Sequence, residues 1–131
     1  MIESFHTSKD VLPTIYDLCG LKAPNEINGK SLLNPNNAPD YAISEYMGGG
    51  CPDMIERPIQ FMIRNAHYLV CYNVKMNDPF EEGKLVEVYD LEQDPDELTN
   101  ISNRPEIMSE IKGLLELLEI RKNEISKSYI I

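Results

Sequence analysis

Basic residues are scarce in this chain. Its 131 residues hold 12 Lys and Arg against 22 Asp and Glu, a formal net charge of −10. A nucleic-acid backbone needs clustered cations, so that class of partner is argued against. Adsorption to an anionic membrane surface is argued against for the same reason. The acidity itself reads most simply as solubility. Long apolar runs are also missing: none approaches the roughly 18 residues that span a bilayer. The opening Met1-Ile-Glu-Ser-Phe-His6 has neither the basic start nor the apolar core of a signal peptide, which speaks against export of the chain as written and leaves the compartment of any longer parent unknown. Cysteine is sparse. Cys19, Cys51 and Cys71 are widely spaced with no CxxC pair, which argues against a structural zinc site and reads as three reduced thiols. Histidine is limited to His6 and His67, far apart in sequence.

What is present fits one domain with one core. Asp10 to Cys19 reads as a helix with Val11, Ile15, Leu18 and Cys19 on one face. Asp10 or Ser8 is expected to cap it, Pro13 is tolerated in its first turn, and Gly20 supplies the stop. Residues 34–40 read as a loop. Tyr41 to Met47 is a candidate strand, followed by a loop at Gly48-Gly-Gly-Cys-Pro52. Pro58 to Arg64 and His67 to Asn73 alternate clearly and predict a hairpin, with Asn65-Ala66 as a two-residue turn and Asn65 at positive φ. Val74 to Gly83 reads as a hairpin tip and Leu85 to Leu91 as the last strand. Asp94-Pro95 ends that strand, because proline fixes φ and donates no ladder bond. Asn103-Arg-Pro-Glu106 has the pattern of a capping box at a helix start. Ile107, Ile111, Leu114, Leu115, Leu118 and Ile125 then form one apolar stripe. Gly113 weakens that helix and marks a possible close approach to the sheet. The expected fold is α+β: about four antiparallel strands packed against a long C-terminal helix, preceded by a short N-terminal helix. All of 1–131 is taken as one domain, with 1–40 a helix and connecting loop and 41–131 the sheet and final helix.

The chemistry-bearing residues do not form an obvious active site. Asp94, Asp96 and Glu97 lack the spacing of a calcium loop and read as a turn in which Asp94 bonds the following backbone. The three glycines at 48–50 are not followed by the lysine and hydroxyl of a phosphate loop. They are flanked by Glu45, Cys51 and Asp53, and the plain reading is a hairpin connector. Arg64 is expected to pair with Asp90 or another carboxylate, although a guanidinium also suits bidentate anion recognition. Asn100-Ile-Ser102 fits a glycosylation sequon, a triplet that often arises by chance. A small hydrolase using His67 with Glu45 or Cys71 lacks a nucleophile, base and orienting group that can be placed together.

Three ordered blocks carry a resemblance. They are Asp10-Val-Leu-Pro-Thr-Ile-Tyr-Asp-Leu-Cys-Gly-Leu21 with Asn28-Gly-Lys-Ser-Leu-Leu33 after it, Arg64-Asn-Ala-His-Tyr-Leu-Val70, and Val88-Tyr-Asp-Leu-Glu-Gln-Asp-Pro-Asp-Glu-Leu-Thr-Asn-Ile101. In this order they resemble the closing segment of the sulfatases, of the alkaline phosphatase superfamily. The resemblance implies that the chain is a C-terminal subdomain of a sulfuric ester hydrolase. It would shape one wall of the substrate pocket, with Arg64, Glu45 and His67 as candidate substrate-facing residues in the parent enzyme. The family's formylglycine nucleophile and its calcium site would lie in a catalytic domain outside this chain. Cys51-Pro-Asp-Met-Ile55 is superficially similar to the nucleophile motif, but the proline spacing and the arginine are wrong. No residue is therefore assigned as catalytic or as a metal ligand, and the chain alone is expected to be inactive. Its partner would be the sulfatase catalytic domain, and the surface facing that domain would favour self-association of the fragment. The competing reading is a free-standing acidic α+β interaction module without catalytic activity.

Overall fold

The computed structural model of the chain describes residues 5–34, 39–46, 58–75 and 83–129. They fall into two compact units, residues 1–42 and 43–131.

The first unit is built on a 3₁₀ turn, Ser8–Asp10, that runs into α1, Val11–Leu18. Asp10 precedes α1 as expected, but its side chain does not cap it. It turns back instead. The amides of Thr7 and Lys30 donate to Asp10 Oδ2 and Oδ1 at 2.8 and 2.9 Å. Thr14 Oγ1 donates to the Asp10 carbonyl at 2.6 Å and accepts from the Leu32 amide at 2.9 Å. Asp10 and Thr14 thus clasp the 28–33 turn onto the start of α1. Gly29 is needed there, since a Cβ would lie 1.9 Å from the Lys9 carbonyl oxygen. Gly20, at φ +67°, provides the left-handed helix stop. The apolar face of α1 does not enter a core. Val11, Leu12, Ile15 and Leu18 are about half or more exposed, as are Leu21 and Leu33.

A four-stranded sheet has the order β1-β2-β3-β4, with β1 Tyr41–Tyr46, β2 Pro58–Asn65, β3 Tyr68–Lys75 and β4 Lys84–Asp90, and all of it from Ile43 on belongs to the second unit. β2–β3 and β3–β4 pair antiparallel. The β2–β3 turn forms one residue later than expected, at Ala66-His67. Asn65 stays in the strand, and Glu97 is the one non-glycine residue described at positive φ. The Asn65 side chain does the work instead: its Oδ1 accepts from the His67 and Tyr68 amides at 2.9 and 2.7 Å. β3 continues to Lys75. The expected glycine loop at 48–50, with Cys51 and Asp53, lies outside the described residues, as does most of the 74–83 tip.

Alternation places Phe61, Ile63, Val70, Tyr72 and Val88 on one face, where all are buried. This face packs on Ile107, Ile111, Leu114 and Leu118 of the C-terminal helices. The helix begins at Ile107 rather than at Asn103, because turns closed by Arg104 N to Ile101 O and Ile107 N to Arg104 O come first. It is also interrupted. α2, Ile107–Glu110, gives way at Ile111 (φ −90°, ψ 2°) to α3, Lys112–Tyr129. Polar bonds pin the helices to the sheet: Tyr68 to Glu110, Tyr72 to Glu119 at 2.8 Å, and Arg121 to Glu45. Lys122 is buried and lies 2.6 Å from Glu119. Burial would raise the Glu119 carboxyl's pKa, but the bonds from Lys122 and Tyr72 outweigh it and hold the pKa below its ordinary value.

Gly113 does not mark a close approach. It is exposed in the first turn of α3, with nothing within 4 Å of where a Cβ would stand. Gly113→Ala is therefore expected to stabilise the chain by about 0.5–1 kcal/mol, through lower entropy of the unfolded chain. A raised urea midpoint at unchanged slope is the check.

Candidate functional site

The residues of the third block form the best-defined local structure in the second unit. After β4, Asp90 Oδ1 accepts from the Glu92 and Gln93 amides at 3.1 and 3.2 Å. Asp94 then accepts from Leu98 N at 3.1 Å and Thr99 N at 2.7 Å. The acidic run is a turn held by its own carboxylates, which is why aspartate recurs in it. The chain then runs back beside β4. Asn100 Oδ1 accepts from Val88 N at 3.1 Å and Ser102 N at 2.9 Å, and Asn100 Nδ2 donates to Val86 O at 3.1 Å. Ser102 Oγ donates to the same carbonyl, and Ile101 N donates to Val88 O.

β4 is the edge strand, so the carbonyls it turns outward, Val86 and Val88, have no strand partner on that side. The β3–β4 register shifts between Cys71, opposite Glu87, and Tyr72, opposite Leu85, so Val86 has no partner on β3. The Asn-Ile-Ser triplet covers the outer edge of β4, an edge that would otherwise invite pairing with another chain. A glycan on Asn100 Nδ2 would displace this contact.

The sheet face away from the helices of this unit carries no helix, although Leu69 on it is buried. It carries Gln60, Met62 and Arg64 of β2, Leu69, Cys71 and Asn73 of β3, and Glu87 and Tyr89 of β4. A hollow of about 340 Å³ lies on it, lined by Ser44, Tyr46, Met62, Cys71, Asn73 and Glu87 among others. Burial, with the Glu87 and Glu97 carboxylates adding to it, pushes the Cys71 thiol up to about 11. Cys71 is therefore a protonated thiol at neutral pH and a poor nucleophile. At the hairpin end of this face, Arg64 Nη1 donates to Glu97 Oε1 at 2.8 Å. The partner of Arg64 is thus Glu97 rather than Asp90, whose carboxylate is taken up by its own turn. Glu97 sits at φ 57°, a left-handed conformation that costs a side-chain-bearing residue about 1–2 kcal/mol.

The three candidate substrate-facing residues do not all converge within the unit. Arg64 and His67 share the β2–β3 hairpin end, where His67 Nδ1 is 2.8 Å from Glu92 Oε1. Glu45 points to the other face and bonds Arg121 of α3. Sequence reasoning missed Glu97 as the partner of Arg64, Asn100 as the edge cover and Asn73 in the hollow. The only prior signal was the place of Asn100 directly after the Asp-Pro turn. Among the described residues no three His, Cys, Asp or Glu side chains are grouped so that they could hold a metal ion.

The sequence model of the N-sulphoglucosamine sulphohydrolase C-terminal family matches residues 1–124. The chain belongs to this sulfatase C-terminal family. It is 25% identical over 120 residues to the N-acetylglucosamine-6-O-sulfatase of Bacteroides thetaiotaomicron, a match that covers 92% of this chain and 21% of that protein. It is 28% identical over 110 residues to an arylsulfatase of Clostridium perfringens, covering 84% of this chain and 21% of that one. The crystal structure of a putative sulfatase from Bacteroides thetaiotaomicron superposes with a TM-score of 0.67 at 26% identity, covering 91% of this chain and 25% of that one. This sulfatase subdomain therefore spans about a fifth of the length of the curated relatives it matches. The fold expected from the sequence pattern, about four antiparallel strands with a short first helix and a long last one, is the fold observed.

Proposed function

We propose that this subdomain completes a sulfuric ester hydrolase by packing on its catalytic part and forming one wall of the substrate pocket. The observation that carries the proposal is the exposed apolar row of the first unit. Val11, Leu12, Ile15, Leu18, Leu21 and Leu33 are about half or more open to water. A stable chain does not ordinarily leave such a row uncovered, and four-fifths of each relative's length lies outside this chain. In this reading the attacking formylglycine and the calcium ion belong to the catalytic part. Arg64 and His67, at one end of the helix-free sheet face, are the side chains best placed to meet a sulfated substrate, since a guanidinium suits a trigonal array of anionic oxygens. Glu45, already bonded to Arg121, contributes by holding β1 on α3.

The test is sulfate release from a generic aryl sulfate and from a glucosamine sulfate, with and without added calcium. No turnover is expected from the 131-residue chain, and turnover is expected from the longer polypeptide that carries it. Light scattering of the 131-residue chain is expected to give a mass that rises with concentration. Activity of the short chain that persists through repurification overturns the reading. So does a mass that stays monomeric over a broad concentration range.

A further inference from the structure

The turn after β4 fixes the backbone at Glu97. The Asp94 carbonyl accepts from the Glu97 amide at 3.1 Å, and the Asp94 carboxylate accepts from the next two amides. Glu97 stands there at the left-handed φ of 57°. Glycine adopts that conformation without a steric cost, yet this position holds a glutamate. Its side chain reaches Arg64 of β2, where Oε1 accepts from Nη1 at 2.8 Å. Water reaches both partners: the Arg64 and Glu97 side chains are 43% and 35% exposed. An exposed ion pair returns less than the left-handed conformation costs a residue with a side chain. Stability therefore does not account for a glutamate at 97, and a backbone outlier kept against stability points to a use. Glu97 engages one nitrogen of the guanidinium. Nε and Nη2, the donors of the other edge, have no hydrogen-bond partner among the described residues. Two N–H donors side by side on a planar fork match two oxygens of a sulfate ester.

We infer that Glu97 is a positioning residue for Arg64: it holds Nη1 and so presents the Nε–Nη2 edge to a sulfate group of the substrate. The inference rests on the reading above, in which Arg64 meets a sulfated substrate. A long side chain already held in one rotamer loses less freedom when the substrate binds.

The test joins steady-state sulfate release from a glucosamine sulfate by the longer polypeptide to urea unfolding of the 131-residue chain. Glu97→Gly is expected to raise KM about fivefold, the weight of one guanidinium left to its own rotamers. Its kcat is expected to stay within twofold, since the lost interaction is one of binding. Glu97→Gln keeps an acceptor for Nη1 and is expected to recover most of the loss in KM. In the short chain Glu97→Gly is expected to keep or raise the urea midpoint, because the backbone strain is relieved. A lowered midpoint means that Glu97 is there to hold the fold, and overturns the inference. A KM lowered in both variants also overturns it, since Glu97 then acts by repelling the sulfate. Arg64→Ala separates the inference from the reading beneath it. If Arg64→Ala raises KM and Glu97→Gly does not, Arg64 keeps its place and the inference fails. If Arg64→Ala leaves KM unchanged in an active long polypeptide, both fail.

Discussion

Asp10→Ala is expected to cost the first unit about 2–4 kcal/mol, on the scale of two hydrogen bonds to a charged group. Asp10 is only 5% exposed and holds two backbone amides, Thr7 and Lys30, that are far apart in sequence. Without the carboxylate, the 28–33 turn loses its closest tie to the start of α1. Thr14 still holds it, through Leu32. Amide exchange at Lys30 and Leu32 is the direct measurement, and both are expected to accelerate. Asn at this position keeps the shape and loses the charge, so its effect should be smaller.

The same residue makes the unit acid-sensitive. Burial by itself would raise the Asp10 carboxyl, but the amides of Lys30 and Thr7 outweigh it and hold the pKa below its ordinary value. A depressed folded-state pKa means that the unfolded chain takes up protons first as pH falls. The stabilisation is therefore fully present above the unfolded value of about 3.9 and is lost as pH drops through the lower, folded one. Lys30 amide exchange, corrected for its intrinsic pH dependence, should show a loss of protection in this window. The Asp10→Ala variant should not. Protection that stays flat in the parent chain down to pH 2 would contradict the assignment.

Asn100→Ala is the second large effect, about 2 kcal/mol on the second unit once the exposure of the site is discounted. It removes an acceptor shared by Val88 and Ser102 and a donor to the bulged Val86 carbonyl. It also uncovers the outer edge of β4, so aggregation on prolonged incubation should rise with the loss of stability. The urea midpoint and Val88 amide exchange measure the two parts separately. Asn100→Asp tests the geometry. It keeps the acceptor but sets a carboxylate against the Val86 carbonyl, so it is not expected to rescue the alanine variant. An unchanged midpoint in both variants would mean that the edge is held by Ser102 and the Ile101 amide alone.

Much of the fold was legible because it depends on local periodicity. The alternation of Ile59, Phe61 and Ile63 against Tyr68, Val70 and Tyr72 identified the central hairpin, and the stripe from Ile107 to Leu118 identified the helix that covers it. The Asp-Pro turn was readable because proline and carboxylate act on their own neighbours. Errors came where one residue can serve two roles. Asn65 was expected to bend its own backbone, yet it bonds the next two amides through its side chain. Gly113 was read as a packing glycine, yet it faces water.

The amino-acid sequence by itself determined the order of elements, the lack of a metal-ligand or nucleophile pattern, and the resemblance to the sulfatases. The first two follow from spacing and composition, which are local, and the resemblance rests on three residue blocks in a known order. Only the tertiary structure decided which face of each element is covered. A helical stripe looks the same whether it enters a core, as Ile111 does, or stands open, as Ile15 does. Register had the same status: the single-residue slip that leaves Val86 without a partner on β3 depends on how two strands meet, and strand pairing between distant segments leaves no trace in either segment alone.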